Sequence, residues 1–376
     1  MIEVRPVTTP REREMFLALP WKIYRDDPLW VPPLLSERRK MVDPQRSAFF
    51  KNGYAELFIA WKDGQPAGTI AAAEDTAASQ FRGYGECMIG FFECIEDYAV
   101  AEALLKRAEE WARAHDLRAL YGPYNLDIED SRGLLIDGRD LPPALLCGHN
   151  PPYYPEFFER FGLHKWGEDG FAYSIDLDLG SPEIQRLMKL AERIRARRSD
   201  IRVRGADFSQ VDREIDIIRD LSNRSLAHMP GFVPYTRESV EAVIRPLVSI
   251  ADPELALFAE VDGQPAGFFP GVPNMNEVLI HLNGLRHPWD YVRLLRYGRL
   301  RPKSLSIKTV LVPPEYWDTG VGVLLFDELA RRAAAQGYTW ADCSITGEDN
   351  TDTFPLAKHM GAKIYKRYRI YRKQLG

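Results

Sequence analysis

Six consecutive residues occur twice in this chain. Asp63-Gly64-Gln65-Pro66-Ala67-Gly68 returns letter for letter as Asp262-Gly263-Gln264-Pro265-Ala266-Gly267, 199 residues later. Two further landmarks keep the same spacing: Ile2-x-Val4-Arg5 against Ile201-x-Val203-Arg204, and Phe161-Gly162-Leu163 against Met360-Gly361-Ala362. One six-residue identity is within reach of chance, but three landmarks in register read as an internal duplication. The period is a whole domain, so the chain reads as two copies of one fold rather than a solenoid. Its 376 residues suit two domains.

Each copy reads strand, helical region, two-stranded hairpin, a further strand, helix, strand, short helix, strand. Antiparallel strands followed by a β-α-β unit make a mixed α/β fold of the α+β type, a central mixed sheet flanked by helices. The boundary is expected after the strand Tyr173 to Asp178, giving domains at 1–178 and 201–376. A linker helix at 179–200 lies between them, with Ser181 as N-cap and Pro182 in its first turn. Arg193, Arg195, Arg197 and Arg198 near its end either offset the helix dipole or read an anion.

Apolar content is 45% and charged content 27%, with a net charge of −5 and no long run of one sign. That balance argues against bulk electrostatic binding of nucleic acid. No uninterrupted apolar run approaches the ~20 residues that span a bilayer. Cys87, Cys94, Cys147 and Cys343 are scattered, with no Cys-x-x-Cys and no His pair at ligand spacing. They read as thiols in a reducing cytoplasm, with no metal site. The stretch 286–299 interleaves Arg286, Arg293, Arg296 and Arg299 with Trp289, Tyr291 and Tyr297. Its sharp reading is nucleic acid; its plainer one is an amphipathic surface helix packed on its own domain.

The chemistry concentrates at 306–333. Ser306 to Val312 reads as a strand, then Pro313-Pro314-Glu315-Tyr316-Trp317-Asp318-Thr319-Gly320-Val321-Gly322 as a turn, then 323–333 as a helix. Two glycines let the turn be tight and let a ligand approach its backbone. The first N–H groups of the helix have no partner inside it and sit at its positive end, a geometry suited to a phosphate or pyrophosphate.

The run Val-x-Pro-Glu-Tyr-x-x-x-Gly-x-Gly resembles the acyl-coenzyme A motif of the GNAT superfamily of N-acetyltransferases, whose pattern is Gln/Arg-x-x-Gly-x-Gly/Ala. Gly320 and Gly322 match it; Trp317 stands at its first position, followed by Asp318. The 348–362 stretch resembles the second GNAT signature, with Asn350, Leu356 and Gly361 matching and Ala357 where a tyrosine often protonates the departing thiolate. The resemblance covers nearly the whole chain, twice, and implies two tandem GNAT-like domains. It implies an acyl-CoA-dependent N-acyltransferase using acetyl-CoA or another acyl-CoA as co-substrate. Transfer would be direct, in a ternary complex, to a small amine or amino-acid-like acceptor. Val310, Leu311 and Val312 would pair with the pantetheine arm. The backbone N–H groups of Thr319, Gly320, Val321 and Gly322 would hold the pyrophosphate, with Trp317 and Asn350 beside the cofactor. Glu348 is the expected general base, with Asp342 the other nearby carboxylate. Two alternatives stand beside this: a non-catalytic acyl-CoA-binding protein, and a transferase of long acyl chains.

The first copy lacks the glycine turn. Ile95 to Ala101 has two acids where phosphates would sit, so this copy is expected to keep the fold without the cofactor. It carries long loops instead, around Tyr121 to Asn125, Ser131 to Ile136 and Gly148 to Pro155. These read either as a binding surface or as irregular structure stiffened by proline.

Overall fold

The repeated hexapeptide makes the same hairpin in both copies. The computed structural model describes residues 1–126, 130–229, 232–347 and 360–376. In it Asp63 and Gly64 have φ of 51° and 77°, and Asp262 and Gly263 have 50° and 77°. Positive φ at both central residues is the tight turn that matches strand twist. The register repeats as well. Lys62 faces Gln65 and Trp61 faces Pro66 after a bulge at Ala60, and Val261 faces Gln264 and Glu260 faces Pro265 after a bulge at Ala259. The first strand of each copy pairs alike, Ile2 with Lys62 and Ile201 with Val261.

The chain divides into two units. Unit 1 comprises 1–170, 278–299 and 366–376. Its strands are β1 (Ile2–Pro6), β2 (Gly53–Lys62), β3 (Gln65–Asp75), β4 (Cys87–Cys94), β5 (Ala119–Gly122), β6 (Leu134–Asp137) and β7 (His164–Lys165), joined by β15 (Tyr371–Gln374) from the chain's end. The sheet order is β1-β2-β3-β4-β5-β15-β7, with β4 and β5 parallel. Its helices are α1 (Pro10–Ala18), α2 (Pro20–Ile23), α3 (Leu35–Met41), α4 (Thr76–Arg82), α5 (Tyr98–Ala114) and α6 (Tyr154–Arg160). The apolar face of α5, through Leu104, Leu105 and Trp111, packs with Phe58, Ile70, Phe158 and Tyr371 into one core.

Unit 2 comprises 171–277 and 300–365. Its strands run from β8 (Gly170–Asp176), β9 (Ile201–Gly205), β10 (Ala256–Val261), β11 (Gln264–Pro273), β12 (Ser304–Ile307) and β13 (Trp340–Gly347) to β14 (Lys363–Arg369). In this sheet the order is β9-β10-β11-β12-β13-β8-β14-β6, with β12 and β13 parallel; β14 runs past residue 365 into the stretch counted with unit 1, and there Arg367 to Arg369 pair antiparallel with β6. Helices α7 (Pro182–Arg197), α8 (Val211–Leu226) and α9 (Arg237–Val248) precede the hairpin. After it come α10 (Asn276–Leu279), α11 (Asp290–Tyr297, in unit 1) and α12 (Val321–Ala335). Leu325, Phe326 and Leu329 of α12 pack with Leu257, Phe269, Leu305 and Ile307.

These units depart from the boundaries at 178 and 200. Shifted by the 199-residue period, β8 and β15 are counterparts, and each completes the sheet of the unit that the other copy builds. Local pattern marks both as strands, but pairing partners are non-local and leave no trace in it. Residues 179–200 are not a free linker. Ile184 and Leu187 of α7 lie in the core of unit 2, and Arg195 bonds the buried Asp327 of α12 at 2.6 Å. Of the arginines at its end, Arg195 and Arg198 therefore serve ion pairs. Segment 278–299 belongs by contacts to unit 1, not to the copy that encodes it. No helix among the described residues is long and apolar enough to cross a membrane.

Candidate active site

The parallel pair β12 and β13 stays in register only from Ser304↔Trp340 to Ile307↔Cys343. Beyond Ile307 the chain turns away at Thr309, whose φ is 49°, and Leu311 bridges across to Phe268 of β11. The strand expected over 306–312 is therefore a short strand, a kink and one bridge. The pairing of the two strands ends at that point, and they part there among the described residues.

Leu311 spends both backbone groups on Phe268, its N–H donating at 3.0 Å and its C=O accepting at 2.8 Å. Its side chain is buried beside Ile215, Ile218 and Phe258. Backbone groups alternate along an extended chain, so those of Val310 and Val312 turn the other way. Of the three expected to meet a pantetheine arm, Leu311 is used by the sheet while Val310 and Val312 flank it on the open side. The Val312 C=O already accepts from the Trp317 indole N–H at 2.8 Å.

Residues Pro314–Thr319 form a 3₁₀ turn, closed by the Thr319 hydroxyl on the Tyr316 C=O at 2.7 Å. The Trp317 ring is exposed, edge-on to His228 at 5.3 Å, while its N–H ties down the turn. Asp318 faces solvent. Arg224 pairs with Glu315 at 2.6 Å and holds that carboxyl below its usual range.

Gly320 then caps α12 at φ 91°, and an ideal Cβ there would lie 2.9 Å from two atoms of Ile194. Glycine is needed at 320 for both conformation and packing. Gly322 is different, since a Cβ there would meet nothing within 4 Å. The first rung of α12 is Leu324 N–H to Gly320 C=O at 3.0 Å, so the N–H groups of 321–323 precede the ladder. Two of the four expected donors, Val321 and Gly322, lie in that first turn. Thr319 and Gly320 belong to the turn before it. The helix end carries no side-chain cap and has open space above Gly322, features that fit a diphosphate.

The same helix end in unit 1 is closed. Gly68 packs under Val100 and Leu104 of α5 as Gly267 packs under Val321 and Leu325 of α12, which aligns the two helices. On that alignment Ala99 and Ala101 replace Gly320 and Gly322. The Asp97 carboxylate caps α5, accepting from the Ala99 N–H at 3.0 Å. Lys62 bonded to Asp97 lowers that carboxyl's pKa, so the helix end already holds an anion. The edge of β4 is occupied too. The Cys94 N–H donates to the Tyr154 hydroxyl at 2.7 Å, and the Tyr153 hydroxyl donates to the Cys94 C=O at 2.8 Å. Asn125 accepts from the Phe91 N–H and Asn150 from the Leu135 N–H. Much of the long-loop chemistry of copy one thus goes into satisfying backbone groups of β4 and β6.

Where β12 and β13 part lies a charged cluster. Asp342 is fully buried and accepts from Lys308 at 3.1 Å, from the Ser344 hydroxyl at 2.7 Å and from the Tyr365 hydroxyl at 2.7 Å. Sequence reasoning marked Asp342 as a carboxylate near the site but missed Lys308, just past β12, and Tyr365 of β14. Burial, with Asp342 adjacent, pushes the Cys343 thiol above its ordinary value, so it stays protonated. Glu348 and Asn350 lie outside the described residues.

The profile of the acetyltransferase (GNAT) family matches residues 219–362. A bacterial ceramide synthase of Caulobacter vibrioides is 32% identical over 381 residues, covering 100% of this chain and 98% of that protein. Protein YghO of Escherichia coli is 30% identical over 384 residues, covering 99% and 95%. Among solved structures, a tandem GNAT protein from the clavulanic acid biosynthesis pathway aligns with a TM-score of 0.62 at 15% identity, covering 100% of this chain and 99% of that one. A GCN5-related N-acetyltransferase from Sphaerobacter thermophilus aligns at 0.54 and 14%, covering 99% and 95%. The open helix end of unit 2, the parting strands beside it and the full-length relatives agree: this chain belongs to the GNAT family of acyltransferases, with two GNAT-like units in tandem.

Proposed function

We propose that the protein is an acyl-CoA-dependent N-acyltransferase that joins a long acyl chain to the amine of a long-chain amino alcohol. The observation that carries the acyl length and the acceptor is the end-to-end similarity to a protein named a ceramide synthase. A ceramide is the amide of such an amine. Acetyl transfer to a small acceptor, the first expectation from sequence, is the competing outcome of the test below. Family membership supplies the acyl-CoA co-substrate.

In this reading the diphosphate rests on the N–H groups of Val321, Gly322 and Val323, and the pantetheine arm runs along Val310 and Val312. The neutral amine attacks the thioester carbonyl carbon. The C–S bond breaks, the new C–N bond forms, the nitrogen loses a proton and the coenzyme A sulfur gains one. Transfer is direct, in a ternary complex; the half-buried Cys343 thiol, raised above its ordinary pKa by desolvation and the adjacent Asp342, is a poor nucleophile. Asp342 already accepts three hydrogen bonds, so it holds Lys308 in place rather than collecting the amine's proton. That proton is assigned to Glu348, on its place in the sequence beside the second motif. Catalysis is mainly the holding of two substrates in line. Four free thiols suit a cytoplasmic setting for the reaction.

The test is thiol release, with mass spectrometry of the product, for acetyl-, octanoyl- and palmitoyl-CoA with sphinganine or ethanolamine. The expected result is an amide formed only with sphinganine, at least tenfold faster from palmitoyl- than from acetyl-CoA. Faster acetyl transfer would refute the long-chain reading. Coenzyme A binding without thiol release for any pair would make the chain a binding protein.

A further inference from the structure

Helix α11 stands exposed on unit 1, anchored at one end. Just before it, the Trp21 indole N–H donates to the Asn283 carboxamide oxygen at 2.8 Å, and Arg286 lies over the Trp21 ring. Asp290, the first residue of α11, is fully buried and accepts from the His287 N–H at 2.8 Å and from the Asn283 amide. From there Tyr291 to Arg296 are all exposed. Leu295 is 80% exposed, Val292 66% and Trp289 64%. Folding leaves this apolar surface in water, in a helix whose entry it secures with a buried carboxylate.

The cations belong to the same surface. Arg293, Arg296 and Arg299 lie on or just after the helix, and the acid within 290–299 is Asp290, which is buried, with the Arg293 guanidinium 3.8 Å from it and still half-exposed. A chain of net charge −5 thus presents a local basic patch. At helical spacing Trp289, Val292 and Leu295 fall on one side, and Arg296 sits a turn on from Val292. Val292, Arg293 and Arg296 also line a groove with Ile280, His281 and Tyr297. An apolar strip edged by arginines is complementary to a layer with hydrocarbon below and phosphate above. Nucleic acid would use the arginines but leave Leu295 and Val292 in water.

We propose that α11 docks this protein on an anionic lipid bilayer: Trp289, Val292 and Leu295 enter the interface while Arg293, Arg296 and Arg299 lie against lipid phosphates. Nothing here depends on the acceptor of the transferase reaction.

The experiment is co-sedimentation of the full chain with vesicles of equal parts phosphatidylglycerol and phosphatidylcholine, and with phosphatidylcholine alone. The expected result is binding to the anionic vesicles at least tenfold tighter than to the neutral ones, weakening as salt rises. Trp289→Ser/Val292→Ser/Leu295→Ser and, separately, Arg293→Glu/Arg296→Glu each lower it at least tenfold with an unchanged melting curve, and Leu295→Ser alone moves it the same way. A wild type that stays in the supernatant, or apolar variants that sediment as well as it does, would overturn the proposal. So would a dimer in solution that Leu295→Ser dissociates, or single-stranded RNA displacing the vesicles.

Discussion

Replacing Gly322 with glutamate would separate what the α12 entrance does for the fold from what it does for a ligand. Nothing lies within 4 Å of an ideal Cβ at 322, so the side chain enters open space. Replacing glycine within a helix stabilises it by roughly 0.5–1 kcal/mol, and a carboxylate in the first turn adds about 0.3–1 kcal/mol through the dipole. The sum, about 1–2 kcal/mol, raises the melting temperature of a unit this size by about 2–8 °C. For a diphosphate at the same N–H groups the effect reverses. Two like charges about 5 Å apart repel by roughly 3 kcal/mol at an effective dielectric near 20, before screening. Gly322→Glu should therefore melt higher yet bind coenzyme A at least tenfold more weakly by isothermal titration. Pantetheine, which lacks the diphosphate, should bind both proteins alike. Coenzyme A affinity within twofold of wild type would refute a phosphate site here, and a lowered melting temperature would refute the open space. The substitution copies the anion that Asp97 already places at the corresponding end of α5. Gly320 cannot serve as this probe, because any side chain there is strained.

Gly320→Ala should cost about 1–3 kcal/mol in chemical denaturation, from the positive φ and the contact with Ile194; adding Ile194→Ala should return only the contact share. Asp342→Asn leaves Lys308 without its buried carboxylate and should cost about 3 kcal/mol, whereas Lys308→Met/Asp342→Leu should cost less than the single change in a double-mutant cycle. In unit 1, burial raises the Glu93 carboxyl from 4.5 to about 7, opposed by hydroxyls of Tyr154 and Tyr24. Between pH 4.5 and 7 the unfolded chain has released that proton while the folded one still holds it, so stability falls as pH rises through this window and stays lower above it. The drop is at most about 3 kcal/mol, an upper bound because Glu93 keeps some surface in solvent. Denaturation curves at pH 4.5 and 8 should show it in the wild type, and Glu93→Gln should remove it.

The helix entrance was legible because its signals are local. A short apolar strand, a proline-bearing turn, two glycines and an amphipathic helix follow one another without interruption, and each carries a conformational preference of its own. The particular tasks within it were not legible. Trp317 looked like a ligand position, and its indole N–H instead ties the turn to Val312. Leu311 looked available to a ligand, and the sheet uses both its backbone groups. The Trp317 bond is local but depends on the turn's backbone path, which the residue pattern does not specify, while the Leu311 partner, Phe268, lies far away in sequence. The Lys308–Asp342–Tyr365 cluster was hidden for the same reason, since its members come from three separate stretches of chain.

The sequence by itself determined that the chain holds one fold twice, because the Asp-Gly turn and the strand pattern beside it dictate the same dihedrals and register wherever they occur. It also determined which copy keeps a glycine turn, since Ala99 and Ala101 stand in the other. Only the tertiary structure decided that β8 and β15 complete each other's sheets, that α7 belongs to a core and that α11 projects from unit 1. A strand's alternation says which face it buries and nothing about its neighbour. Pairing is settled by hydrogen bonds between residues hundreds of positions apart, such as Tyr371 with Gly122, and those form only when the sheets do.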